Sequence, residues 1–247
     1  MASHQQHSLD WYRARLGRIT GSCVGKIYGR GRGAEFSKTG LSYLHGVAAE
    51  RMIPPEVVTS DEYFTQYVYE TTAQSKAMRI GSERETEART LYEIIFQSQV
   101  SEVGAMDCPG IPGFASSPDG IIYNPDDPRE ILGVVEFKCP SPAVYMEYLT
   151  QVQTPSDLRS YNSDYFWQCV SHMMVSGAPW CDFTLYCPFN SRPLHRIRIH
   201  AEQDYFNALQ PRIITALKYI DSLLPKNLRT AQMIALSESQ KRLTNSQ

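Results

Sequence analysis

Residues 133–139, GVVEFKC, form an apolar run that carries a glutamate and a lysine two positions apart near its end. Such a run, rich in β-branched and aromatic side chains, reads as a strand. Positions i and i+2 of a strand share a face, so Glu136 and Lys138 lie on one side while Val135 and Phe137 lie on the other. Upstream, residues 113–123 also have strand character and contain Asp119 in the turn-like Ser-Pro-Asp-Gly. Residues 124–129, NPDDPR, are of the kind that joins two hairpin strands. A hairpin closed there brings Asp119 beside Glu136, and two carboxylates and an ammonium converge on one spot. Hydrolysis of a phosphodiester needs such a spot. Carboxylates hold divalent ions that offset phosphate charge and lower the pKa of a bound water, and a lysine beside that water can orient it. Burying these groups without a purpose is costly. A structural hairpin with a surface salt bridge accounts for them as well, and the residues alone leave both readings open.

The rest of the chain supplies the frame. Residues 8–28 read as a helix, a tight turn at Gly17 and a second helix beginning near Thr20 or Ser22, where a hydroxyl can cap it. The GRGRG stretch at 29–33 is too glycine-rich for regular structure. Residues 40–52 look helical and stop at Pro54 and Pro55, and 62–80 read as a helix or helix-like connection. The clearest helix spans about 83–96: Ser82 and Glu85 have capping-box spacing, and Ala88, Leu91, Tyr92 and Ile95 recur on one face. Strand character follows near 99–106, 113–123 and 131–138, then helices near 143–150 and 161–176, strands near 181–187 and 194–200, and an amphipathic helix over 203–224. Blocks of helices and strands around one mixed central β-sheet give an α/β (α+β) fold.

A length of 247 residues suits one well-buried core, so residues 1–225 are expected to be a single domain and 226–247 a polar C-terminal tail. No stretch approaches the ~18 apolar residues of a membrane span, and the first residues lack the apolar core of a secretory signal; a cytoplasmic protein is expected. The six cysteines are scattered, with no Cys-x-x-Cys pair, which argues against a zinc ribbon or a clustered iron–sulfur site and for buried thiols. Net charge is only −2, yet residues 1–40 hold seven basic against two acidic side chains and residues 190–247 nine against four. A basic rim around an acidic, metal-binding centre produces this asymmetry, as does ordinary solvated surface.

Three blocks add a resemblance: WYRARLGRITGS at 11–22, GSERETEARTLYE at 81–93, and SSPDG with VEFKCP at 116–120 and 135–140. Pro118-Asp119 and Glu136-Phe137-Lys138 match the PD-(D/E)XK nuclease signature. In order and spacing the three blocks resemble the phage lambda exonuclease and YqaJ-type viral recombinase family over roughly residues 9–200, with a longer hairpin at 124–129. The resemblance implies a restriction-endonuclease-like core and a Mg²⁺-dependent (or Mn²⁺-dependent) exonuclease with two ions per site. Such an enzyme would digest linear double-stranded DNA 5′ to 3′, leaving mononucleotides and a 3′ single strand for recombination. Asp119, Glu136 and the Phe137 backbone carbonyl would be metal ligands, Lys138 would position water, Glu85 would stand near the second metal, and Gln168 near the active site. Arg15, Ser22 and Ser117 would grip the 5′-terminal phosphate. It also implies a homotrimer, a single-strand annealing partner and a phage or prophage origin. For Glu85 the capping box, and for Ser22 an N-cap, are the plain structural alternatives. His172, one turn beyond Gln168, reads as structural. Competing functions are a structure-specific or restriction-like endonuclease of the same fold, and a non-catalytic DNA-binding module.

Overall fold

The computed structural model describes residue 6, residues 8–72 and residues 76–226, with the side chains of 76–83 excepted. In chain order the elements are α1 (Leu9–Arg15), β1 (Ile19–Thr20), α2 (Val24–Tyr28), α3 (Lys38–Glu50), α4 (Pro55–Thr59), α5 (Asp61–Thr71) and α6 (Lys76–Phe96). Then come β2 (Met106–Asp107), β3 (Phe114–Ser116), β4 (Gly120–Tyr123), β5 (Ile131–Lys138), α7 (Pro142–Gln151), α8 (Pro155–Tyr161), α9 (Ser163–Ser176), β6 (Trp180–Tyr186), β7 (Leu194–His200) and α10 (Gln203–Leu223). A single 3₁₀ turn, Gly21–Cys23, joins β1 to α2. The mixed α/β class expected from the sequence holds, but the strands form two sheets rather than one.

The first sheet has the order β1-β3-β2, with β1 parallel and β2 antiparallel to β3. The second has the order β4-β5-β6-β7, in which only β5 and β6 run parallel. The strand expected over 113–123 is therefore cut in two, and its halves belong to different sheets. Pro118 accounts for the cut: it offers no N–H to a ladder, so the chain leaves one sheet there and enters the other at Gly120. Of the strand expected at 99–106, only Ser101, bridged to Ile121, and the start of β2 pair. The hairpin closes as expected, with Asn124 N–H donating to the Glu130 carbonyl.

Two layers cover the second sheet. Val135 and Phe137 pack with Ala88, Tyr92, Val100 and Ile122, placing α6 on one face. On the other, α9 buries nine residues from Phe166 to Val175, six of them in the main core with Phe183, Leu185 and Ile197. A helix buried along most of its length is a core helix, and the buried polar residues on α9 are Gln168, Ser171 and His172. Four cysteines are buried thiols, while Cys23 and Cys139 are half-buried, and none is in a disulfide.

Several local expectations change. The helix expected to begin at Glu83 begins by Lys76, so Ser82 and Glu85 are interior positions rather than a helix start; the Ser82 side chain lies outside the described residues. The expected single segment over 62–80 is two helices, α5 and the start of α6. Ser22 caps nothing: the cap position of α2 is Cys23, without a side-chain bond. Of the expected tail, 226–247, all but Lys226 lies outside the described residues. Among these residues, no helix is long and apolar enough to cross a membrane.

Candidate active site

The register of the β4–β5 hairpin sets the site. Gly120 lies opposite Val135, so in an antiparallel ladder the preceding residue, Asp119, stands opposite Glu136. Asp119 Oδ2 accepts the Phe137 N–H at 2.7 Å, which ties the end of the SPDG turn to β5. Glu136, 1% exposed, takes three donors. Lys138 Nζ and Gln168 Nε2 (2.6 Å) meet Oε1, and His172 Nε2 meets Oε2 at 2.7 Å. Lys138 reaches Glu136 along one face of the strand, as the i, i+2 spacing requires, and its ammonium lies 5.1 Å from the centre of the Tyr165 ring.

The two carboxylates are shifted in opposite directions. Burial pushes Glu136 up, but Lys138 and His172 together outweigh it and hold the carboxyl down at about 2, firmly ionised. Burial alone would depress Lys138; Glu136 and Asp119 overcome it and raise the ammonium above its ordinary value. Asp119 is raised well above the usual carboxylate range, first by burial and then by Glu136 and Glu85 nearby, against the pull of Lys138 and the Phe137 N–H. Glu85, on α6, is likewise raised by burial, with Arg89 opposing and Glu136 adding to the rise. Arg89 donates to Glu85 Oε1 at 3.2 Å. The cluster holds more negative charge than its single lysine offsets.

Hard divalent ions take oxygen ligands, and acceptor directions remain open on both carboxylates. Asp119 Oδ1 has no donor among the described residues, and Glu136 Oε2 has one donor where a carboxylate oxygen can take two. The donors fit such an ion in kind: ionisable oxygens, short of positive charge. Among the described residues no three His, Cys, Asp or Glu side chains already converge as an ion cage. The fit therefore rests on Asp119 and Glu136, with Glu85 beside them under the hold of Arg89.

Beside the cluster lies a cationic pocket. Arg15, at the end of α1, donates through one nitrogen to Ser117 Oγ at 3.1 Å and through another to Ser22 Oγ at 3.0 Å. Three residues distant in sequence thus meet, and Ser117 is two residues from Asp119. The positive φ of Gly17, +67°, turns the chain from α1 into β1 so that Ser22 can return to Arg15. The guanidinium lies over Trp11, 4.3 Å from the ring centre, and burial lowers its pKa. Thr20 Oγ1 is 3.4 Å from Ser22 Oγ, and Tyr43 OH accepts the Thr20 N–H at 2.9 Å.

The model of the YqaJ-like viral recombinase domain matches residues 10–179. The chain belongs to that family. Every site residue named above, from Trp11 to His172, lies within the matched span of this YqaJ-like domain. The fold is also that of known exonucleases. The chain is similar to an alkaline exonuclease from Laribacter hongkongensis, with a TM-score of 0.69, 22% identity, and coverage of 93% of this chain and 99% of that one. It is similar to a phage-related exonuclease from Haemophilus somnus 129PT, with a TM-score of 0.59, 16% identity, and coverage of 83% and 94%. A search of curated proteins gives no match.

The YqaJ-like domain brings together Asp119, Glu136, Lys138, Gln168 and, at a distance bridged by charge, Glu85; Arg15, Ser22 and Ser117 form the adjoining pocket. Phe137 contributes its N–H to Asp119 and its ring to the α6 face. Sequence reading gave no role to Trp11, Arg89 or Ser116 and took His172 as structural. A helical-spacing signal existed for two of them: Trp11 stands one turn before Arg15, and His172 one turn after Gln168.

Proposed function

We propose that this YqaJ-like domain is a divalent-metal-dependent exonuclease that digests linear double-stranded DNA from the 5′ end, releasing mononucleotides and leaving a 3′ single strand. One observation carries the proposal: Arg15 bridges Ser22 and Ser117 immediately beside the Asp119–Glu136–Lys138 cluster. A guanidinium with two flanking hydroxyls suits a terminal phosphate. With that phosphate held, the first phosphodiester falls toward the carboxylates, which matches an enzyme that needs an end. Asp119 and Glu136, with the Phe137 carbonyl and Glu85 nearby, would hold Mg²⁺ or Mn²⁺, two ions in the full site. Bound there, the metal supplies charge neutralisation at the phosphate and a more acidic water. Lys138, kept protonated by Glu136, orients that water and offers positive charge to the developing oxyanion. Gln168 keeps Glu136 turned toward the cluster. The similarity to exonucleases in fold supports this reading, as does family membership. A homotrimer, a single-strand annealing partner and a phage or prophage origin belong to the same proposal and rest on the family resemblance.

The test is digestion of matched linear duplexes bearing 5′-phosphate or 5′-hydroxyl ends, with a circular duplex alongside. Preference for the phosphorylated linear substrate and no cutting of the circle is expected. Equal rates on both ends would remove the phosphate-pocket assignment, and cutting of the circle would make the protein an endonuclease. Asp119→Ala and Lys138→Ala should abolish cleavage while the protein stays folded; surviving activity sinks the site.

A further inference from the structure

Glu136 is gripped from behind by a second layer of groups that the nuclease signature does not contain. His172 is 1% exposed and lies one helical turn after Gln168 on α9, so both side chains face β5. An ionised carboxylate only accepts, so the hydrogen between His172 and Glu136 belongs to Nε2. The other ring nitrogen, Nδ1, is 2.8 Å from Ser116 Oγ. Ser116 is fully buried at the end of β3, and its hydroxyl also lies 3.3 Å from that of Ser171, which donates to the Gln168 carbonyl at 2.7 Å. The backbone of Gly21 closes this layer: a Cβ there would lie 1.9 Å from Ser116 Oγ and 2.5 Å from Ser171 Oγ. Glu136 therefore meets a ring whose flip and tilt are set by two serines and a glycine.

The arrangement selects one oxygen. Lys138 and Gln168 both donate to Oε1, which fills its two lone-pair directions, while His172 takes one of the two on Oε2. The remaining acceptor direction on Glu136 is thus on Oε2, and the imidazole decides where it points. We propose that His172, anchored by Ser116, is a positioning residue that aims Glu136 Oε2 at the divalent ion. The inference rests on the reading of Glu136 as a metal ligand.

The experiment titrates Mn²⁺ into the metal-free full chain by calorimetry, for wild type, Glu136→Gln, His172→Leu, His172→Gln and Ser116→Ala, with circular dichroism to confirm folding. Loss of an outer hydrogen-bond partner of a metal ligand weakens binding by about 10–100-fold, and that loss is expected for His172→Leu. Glutamine can return an N–H donor near the position of Nε2, so His172→Gln should recover to within about threefold of wild type. In steady-state digestion, His172→Leu should lower kcat and leave the KM for DNA unchanged, since no DNA contact is lost. Wild-type Mn²⁺ affinity in His172→Leu, or no recovery in His172→Gln, overturns the inference. If His172→Leu does not fold, Ser116→Ala decides: about threefold or greater loss of affinity sustains the inference, and an unchanged affinity overturns it. Glu136→Gln separates the two layers. Should it bind Mn²⁺ like wild type, the metal-site reading itself fails; should it lose the ion while His172→Leu keeps it, only the positioning role fails.

Discussion

Replacing Gly21 with alanine adds one methyl group at the point where three parts of the site meet. The new Cβ would stand 1.9 Å from Ser116 Oγ, 2.9 Å from Ser116 Cβ and 2.5 Å from Ser171 Oγ. Carbon atoms in contact sit about 3.5–4.0 Å apart, so a rotamer change in Ser116 relieves its hydroxyl but not its Cβ. β3 or the 3₁₀ turn must move by roughly an ångström. Both are anchored: Ser116 pairs with Met106 in the ladder, and Thr20 pairs with Ala115. Overpacking of this kind costs ~1–3 kcal/mol, and loss of the buried Ser116–His172 bond adds ~1 kcal/mol or more. Gly21→Ala should therefore lose about 2–4 kcal/mol in urea unfolding. Gly46→Ala is the matching case without the clash: Gly46 is exposed inside α3 with nothing within 4 Å of its would-be Cβ, so helix propensity should stabilise it by ~0.5–1 kcal/mol. The displacement should also reach function, because Ser22 follows Gly21 directly and the preference for 5′-phosphate ends should fall. A Gly21→Ala protein as stable as Gly46→Ala, with end preference intact, would refute the steric argument.

Arg15→Lys keeps the charge but cannot span Ser22 and Ser117 together, so discrimination between 5′-phosphate and 5′-hydroxyl duplexes should fall by about 10–100-fold, the worth of one charge-assisted bond; competition digests measure it. Asp119→Asn retains an acceptor for the Phe137 N–H and removes an anion that burial, Glu136 and Glu85 oppose. The metal-free variant should melt higher than wild type at neutral pH, yet gain nothing from Mn²⁺, and a lower melting point would contradict the excess of negative charge. Glu136 is depressed from 4.5 to about 2, so its stabilising contribution is complete above its ordinary value and drains away as pH falls toward 2. Asp119, shifted upward, works in the opposite sense, since protonation on acidification relieves it. Urea midpoints between pH 5 and 2 should therefore fall more steeply for wild type than for Glu136→Gln.

What could be read before folding was whatever depends on neighbours in sequence or on one turn. Glu136 and Lys138 share a face because a strand has period two, and Asp119 reaches Glu136 because NPDDPR closes a short hairpin. Arg15, Ser22 and Ser117 met as the family resemblance implied, though no local rule joins residues 102 apart. The errors also have local causes. Ser82 and Glu85 satisfy a capping pattern that only matters if the helix starts there; α6 starts by Lys76, and Glu85 is left free to face the carboxylates. Pro118 carried a usable warning, since a residue without an N–H cannot continue a ladder, and it divides what looked like one strand between two sheets.

Spacing placed His172 one turn from Gln168, but its role was not legible, for a different reason. A histidine on an apolar helix is ordinary core by any local measure; its meaning comes from Glu136 on β5 and Ser116 on β3, which meet the two different nitrogens of its ring. The same burial gives that contact its effect. In water an imidazole–carboxylate bond would compete with solvent and orient little, whereas between residues about 1% exposed solvent is excluded, so each bond to Glu136 constrains direction as well as charge. The PD-(D/E)XK pattern names the groups that face the substrate. On the reading proposed above, the groups that aim them are specified by packing: Gln168 and His172 on α9, with Ser116 of β3 behind His172.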